Sequence, residues 1–352
     1  MNKTASLALG AFAVAAMTGT ALAQDAMAYD AAAPAHDGAK SDLSTTITDV
    51  SGSAEDVGFN AFAPVEHTGH GKDQIGTIDL TLSPTYRYED AGDLNKDAGD
   101  ISVDRWGNTL RMDYHAEDDA LWSFRWGYER SSYDISGGPK ASLADDALDN
   151  ATVWSLTLAH MRPINEEWSG FAGLGLQFGG SDDVSFSDGR NFMGAIGAIR
   201  KHDESLSYGL GIMVREDFED DAIILPLPIV TWQVDERSVL RMKGLKVDYA
   251  YEVEHDLTAH AFLDYELRSY RIDKDPKFGA ASDGSVDDTH WLLGVGLDWK
   301  PRDIEWLTVS GEIGAILGQK FEVQDDDGSE VATNRMDDNV GFFVGLSATL
   351  SF

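Results

Sequence analysis

Residues 339–352 read NVGFFVGLSATLSF. Counting back in twos from the end gives Phe352, Leu350, Ala348, Leu346, Val344, Phe342 and Val340, all apolar. The positions between them, Ser351, Thr349, Ser347, Gly345, Phe343 and Gly341, are mostly small or polar. Alternation of this kind is the mark of a β-strand with one apolar face. It stands at the end of a 352-residue chain whose net charge is -34. In such a chain, the alternation reads as a strand with lipid on one side and a lumen on the other.

The same period recurs from about residue 75 onward. Ile78, Leu80, Leu82, Tyr86 and Tyr88 share one face, opposite Asp79, Thr81, Ser83, Thr85 and Arg87. Trp122, Phe124, Trp126 and Tyr128 oppose Ser123, Arg125, Gly127 and Glu129. In WLLGVGLDW, residues 291–299, two Trp residues bracket three aliphatics on one face. At about 3.3 Å per residue this matches the height of a membrane apolar band with an aromatic at each rim.

Connections alternate in length. Short ones fall near 115–119, 162–167, 201–205, 234–238 and 300–305; longer acidic ones span 89–104, 134–150, 179–190, 273–287 and 322–338. That is the layout of a transmembrane barrel. Treating 237–253 as one strand gives an odd count, so the segment divides at Gly244 into SVLRMK and LKVDYAYEV. The fold class is then all-β, an antiparallel transmembrane β-barrel of about 14 strands, or 12 if that hairpin does not cross. AIILPLPIVTWQV carries Pro226 and Pro228 inside an apparent strand, which predicts a kink or bulge there.

Residues 1–23 read as a signal peptide: Lys3, the apolar run ASLALGAFAVAAM, and ALA before a cut at Gln24. Residues 24–72 are rich in Ala, Asp, Ser and Gly without a period and read as a flexible periplasmic segment; 73–352 is the barrel. No Cys is present, which excludes disulfides and thiolate chemistry. The acidic balance excludes nucleic acid as a partner.

Three stretches carry a resemblance: GLGLQFGGSDDVSFSDGRNF (173–192), YGLGIMVREDFEDDAIILPLPIVTWQVDER (208–237) and GLKVDYAYEVEHDLTAHAFLDYELRSYRID (244–273). They resemble a family of bacterial outer-membrane barrels classed as a domain of unknown function, with an LPLP strand followed by a GLK-DY strand. The likeness covers roughly 100–352 and implies a barrel in the outer membrane, without an activity. The terminal Phe352 is similar to the C-terminal aromatic read by the outer-membrane assembly machinery. The expected partners are that machinery, outer-membrane lipids and small hydrophilic solutes.

By parity the pore-lining set comprises Arg105, Arg111, Asp113, Arg125, Glu129, Arg215, Asp264, Glu266 and Arg268. Mixed charges on an inner wall suit a passive porin-like channel that sorts solutes by charge. The alternative is a closed structural or docking barrel held shut by ion pairs. A lipid-modifying enzyme would need a Ser–His pair at one height. His260 and His290 face inward about a barrel height apart, and Ser269, level with His290, faces lipid by parity. No cofactor is implied, and a catalytic constellation is missing. One metal pattern stands out: Asp93, Asn95, Asp97 and Asp104 occupy positions 1, 3, 5 and 12 of a calcium loop. Ala98 replaces its glycine, and a solvated acidic loop is the plainer reading.

Overall fold

A backbone amide in hydrocarbon has no water to bond, so strands cross a bilayer only in a sheet that closes on itself. The computed structural model shows that closure. It describes residues 76–94, 99–116, 119–136, 149–216, 218, 222–275, 281–335 and 340–352. The strand segments are β1 (Ile78–Leu94), β2 (Gly99–His115), β3 (Leu121–Ser136), β4 (Asn150–Pro163), β5 (Trp168–Ser181), β6 (Arg190–Lys201), β7 (Leu206–Arg215), β8 (Ile223–Asp235), β9 (Ser238–Lys243), β10 (Lys246–Glu254), β11 (Leu257–Arg271), β12 (Ser285–Trp299), β13 (Leu307–Gln324), β14 (Glu330–Arg335) and β15 (Gly341–Ser351).

Each strand from β1 to β13 pairs antiparallel with its neighbour in sequence. β13 takes β15 along residues 307–316 and β14 along 320–324. β14 and β15 are therefore two lengths of one stave, and the barrel has 14 staves. β15 closes on β1, where Leu80 and Phe352 exchange backbone hydrogen bonds of 3.1 and 2.8 Å. The apolar set of the closing strand faces outward: Phe342, Val344, Leu346 and Phe352 are all exposed, whereas Phe343 is buried inside.

One end of the barrel carries short turns and both ends of the sheet; the other carries the longer loops. At the turn end, Asp203 accepts hydrogen bonds from the Ser205 hydroxyl and the amides of Ser205 and Leu206. These bonds, the hydroxyl first, hold its carboxyl below the usual range. At the loop end the segments expected as long loops are partly strand. β1 and β2 extend to Leu94 and Gly99, and β13 and β14 pair as a hairpin. Polar residues above the apolar band still complete the ladder, because their backbone groups bond across the hairpin regardless of side chain.

The division at Gly244 is real. Gly244 sits at φ 60 between β9 and β10, a left-handed position that glycine takes without Cβ strain. The resulting hairpin is short, and this shapes everything near it. β8 pairs with β9 only as far as Ile229↔Lys243, and β11 with β10 only as far as Leu263↔Val247. Beyond those rungs, residues 223–228 of β8 and 264–270 of β11 have no described strand between them.

The two prolines lie on that open edge. The expected kink or bulge does not occur: β8 keeps an unbroken register with β7 through Leu210↔Pro228 and Ile212↔Pro226. The Pro228 carbonyl points to the hairpin side, where the Gly244 amide donates to it at 2.8 Å. Backbone groups of alternate residues point the same way in an antiparallel strand. The missing donors of Pro226 and Pro228 are thus those that would have faced an absent neighbour.

β11 responds differently. Its loop-end half leaves the wall and crosses the lumen, reaching β5 in a parallel pairing of Arg271 with Gly180. Gly179 permits this approach: a Cβ there would lie 2.3 Å from the Ser269 carbonyl oxygen. The crossing strand divides the loop-end lumen into two compartments. Its even-numbered side chains face β1–β3 and β12–β13. Its odd-numbered ones, Tyr265 and Leu267, pack on an apolar cluster of Phe171, Met193, Ala195, Ile199, Met213, Leu227 and Ile229 from β5–β8.

Gly244→Val forces a β-branched residue into the left-handed region and should cost about 1–2 kcal/mol or more. The urea midpoint of the folded, heat-modifiable species should fall accordingly, with Gly244→Asn milder.

Candidate functional site

The first compartment is filled by charge. Arg87 and Glu89 come from β1, Arg105 from β2, Glu129 from β3, Glu266 and Arg268 from β11, Asp288 and His290 from β12, all buried. Arg105 donates to Glu89 at 2.9 Å and to Asp288 at 2.6 Å, and its Nη1 reaches Ser131 at 2.7 Å and Tyr133 at 3.0 Å. Arg268 grips both oxygens of Glu129, at 2.8 and 3.3 Å, and also pairs with Glu266. Glu266 takes a further bond from Arg87 at 2.7 Å. His290 stands between carboxylates, with Nε2 3.1 Å from Glu266 and Nδ1 3.3 Å from Asp288. A doubly protonated ring there brings the group to four positive and four negative charges.

The network is dry. Arg105 is 2% exposed, His290 1% and Asp288 0%. A layer of Ile101, Val103, Ile135, Ile272, Val286 and Val323 covers it from the loop end. Removal from water strengthens each pair but costs several kcal/mol per ion, and the geometry must offset that. It does so through bidentate and shared contacts, with the Tyr133 hydroxyl donating to Asp288 and the Tyr270 hydroxyl accepting from Arg105 and Tyr133.

One member was invisible to strict alternation. Gly318, at φ 64, makes a one-residue bulge in β13, where the register with β12 shifts between Thr289 and Trp291. Parity reverses beyond it, turning Gln319, Phe321 and Val323 inward, and Gln319 donates to Asp288 at 3.0 Å. The available signal was the glycine itself, a common mark of a bulge inside a strand pattern.

The expected pore-lining residues separate into groups. Arg105, Glu129, Glu266 and Arg268 meet in the network. Arg111 and Asp113 pair at 2.7 Å nearer the turn end, and Asp264 pairs with Lys246 at 3.0 Å. Arg125 faces inward on β3 below Glu129. Arg215 lies in the second compartment, where its Nη2 donates to Ser269 at 2.8 Å. The parity reading of Ser269 as lipid-facing is thereby corrected. β11 has left the wall at that height, so the side turned from the network faces a second interior. His260 sits apart near Asp248 and Asp298, at 3.4 and 3.6 Å.

For the calcium pattern, Asn95 and Asp97 lie outside the described residues. Asp93 and Asp104 are ladder residues, opposite Asp100 and Tyr88, and Asp104 accepts from the Tyr86 hydroxyl at 2.5 Å. Among the described residues of the pattern, Asp93 and Leu94 and residues 99–104 lie in paired strand, where a twelve-residue cation loop uses open chain. Glu89, Glu266 and His290 offer donor atoms within 4.8 Å of one another. Three guanidinium groups already occupy that neighbourhood, and a dication would meet their repulsion.

The sequence profile of one family matches residues 118–348. The chain belongs to the family described as Domain of unknown function (DUF6268). Similar solved structures include a FadL homologue of Pseudomonas aeruginosa, 12% identical over 78% of this chain and 89% of that one, with a TM-score of 0.43. An outer-membrane channel of Pseudomonas putida F1 is 12% identical over 82% and 99%, with a TM-score of 0.42. The KdgM porin is 12% identical over 77% and 99%, with a TM-score of 0.31. No curated protein matches the chain.

Arg268→Met leaves Glu129 and Glu266 dry beside a missing cation, and should lower stability by about 3–5 kcal/mol in urea unfolding from micelles. Adding Glu129→Leu should recover part of that loss.

Proposed function

We propose that the protein is a gated transport barrel of the bacterial outer membrane, held closed in this conformation by the ion-pair network. The observation that carries the reading is the dry charged partition across a wide lumen. Wall side chains fill a barrel of about eight strands, but a 14-stave lumen leaves room between opposite walls. Here that room is occupied by β11, fixed to β3 through Arg268 and Glu129.

An apolar filling would seal the space at no greater cost, since buried ion pairs seldom exceed well-packed hydrophobic residues in stability. Ion pairs, unlike an apolar core, can be exchanged for water and solute ions when the strand moves. Toward the turn end the inner wall is polar and less buried, with Asp79, Arg111, Asp248 and Asp298 along it. A small hydrophilic solute entering there meets the charged partition on one side of β11 and the apolar cluster on the other.

The outer-membrane assignment draws support from the closed sheet, the even stave count and the exposed apolar outer face of Leu174, Ile196, Leu210 and Val295. The same complete packing also suits a closed structural barrel, and one experiment separates the two readings.

In planar bilayers the wild-type barrel should show rare, small current steps. Arg105→Ala with Asp288→Ala removes one pair together and should raise step frequency several-fold, with a shift in ion selectivity. A doubly substituted barrel that keeps its heat-dependent gel shift yet never conducts would establish the structural reading instead.

A further inference from the structure

The second compartment contains a buried cation, Arg215, that no carboxylate among the described residues neutralises. Arg215 lies at the loop end of β7, turned inward, opposite Met193 of β6. It is 2% exposed, and its Nε and Nη1 have no hydrogen-bond partner among the described residues. Among the described residues no carboxylate pairs with it. The adjacent Glu216 is committed elsewhere, accepting the Phe192 amide at 3.1 Å. An isolated buried charge is costly unless something of opposite sign reaches it.

Two further polar side chains share this ceiling. Gln177 of β5 and Asn191 of β6 stand directly opposite each other, 5% and 2% exposed, with Oε1 and Oδ1 unpartnered among the described residues. Either amide can turn an NH2 group toward an anion. Below them the compartment is apolar: Phe171, Met193, Met213, Leu227, Ile229 and Leu267. The Phe171 ring lies against Gly197 and Gly211, where a Cβ would come within 2.4 and 2.7 Å of it. A few convergent polar groups over an apolar lining is the composition of a ligand pocket. The methionines that now fill it are the side chains most able to rearrange around a guest.

We infer that this compartment is a binding site for a monoanionic amphiphile, a carboxylate on an apolar body. The guanidinium of Arg215 holds the carboxylate, and the apolar cluster holds the body. The single cation matches a single negative charge. The site stands apart from the ion-pair network, on the opposite face of β11.

The route of entry is the open edge between β8 and β11. No described backbone hydrogen bonds join residues 223–228 to 264–270, so side-chain contacts alone close the wall there. The outer side of that edge meets lipid, with Ile224 68% exposed. An amphiphile dissolved in the bilayer therefore reaches the compartment by parting Leu225 and Leu227 from Tyr265 and Leu267, without breaking the ladder.

Decanoate labelled with carbon-13 at its carboxyl tests the site, using the full chain in nanodiscs with empty nanodiscs as background. The wild type should give a saturable bound carboxyl resonance, with decanol competing only weakly. Arg215→Met should reduce decanoate affinity about 10- to 100-fold, the loss expected for hydrogen bonds to a charged group, and leave decanol unchanged. Arg215→Lys should retain part of the preference. It replaces the Met variant if that protein loses its heat-dependent gel shift. Absence of a saturable signal, or unchanged decanoate affinity in the folded Arg215 variants, would overturn the proposal. The chain has no native cysteine. Leu225→Cys with Leu267→Cys, bridged by a bifunctional thiol reagent, should therefore slow decanoate entry; an unchanged entry rate would overturn the route. Neither outcome depends on conductance, so the charged partition is tested separately.

Discussion

Every amide and carbonyl in the hydrocarbon layer must be bonded within the protein, and the architecture follows from that constraint. It demands a closed sheet, which the Leu80–Phe352 bonds complete. It also makes a short hairpin expensive, because β9–β10 leaves β8 and β11 without a described partner on the facing edge at the loop end. The chain meets that cost in two ways. β8 discards donors by placing proline at 226 and 228, and β11 turns inward to bond at β5. The departure from a regular barrel and the filling of its lumen are thus one event.

That event governs the electrostatics. Once β11 lies across the interior, Glu266 and Arg268 can reach Arg87 and Glu129 on distant staves. Charges facing a water-filled pore would be hydrated; charges trapped between a crossing strand and a wall must satisfy each other. Three arginines with forked donors and hydroxyls from Tyr133 and Tyr270 suit the task better than lysines would, since the planar fork makes several directed bonds at once.

Alternation in the sequence was sufficient for the barrel, the stave count, the division at Gly244 and the outward set of the final strand. These depend on local period and on turn chemistry, which are written residue by residue. Charged residues at 105, 129, 266 and 268 were legible as inward-facing for the same reason. Their collapse into one dry group was not, because parity assigns a side of a strand and says nothing about where the strand runs. Ser269 shows the difference. Its side was read correctly, but the medium on that side was taken as lipid because the strand was assumed to stay in the wall. Gln319 was missed because a single bulge at Gly318 reverses the count. The LPLP stretch announced a departure from regular pairing, and the departure proved to be a missing neighbour rather than a kink.

Successive side chains of an extended strand point in opposite directions. In β11 this sets Arg268, bonded to Glu129, next to Ser269, bonded to Arg215. The two side chains face separate interiors at that point, yet they share one peptide unit. A tug of a fraction of an ångström on either anchor is delivered to the other along covalent bonds, stiffer than any packed contact. The partition is therefore also a tie-rod: the two halves of the barrel cannot adjust independently while that strand remains in place.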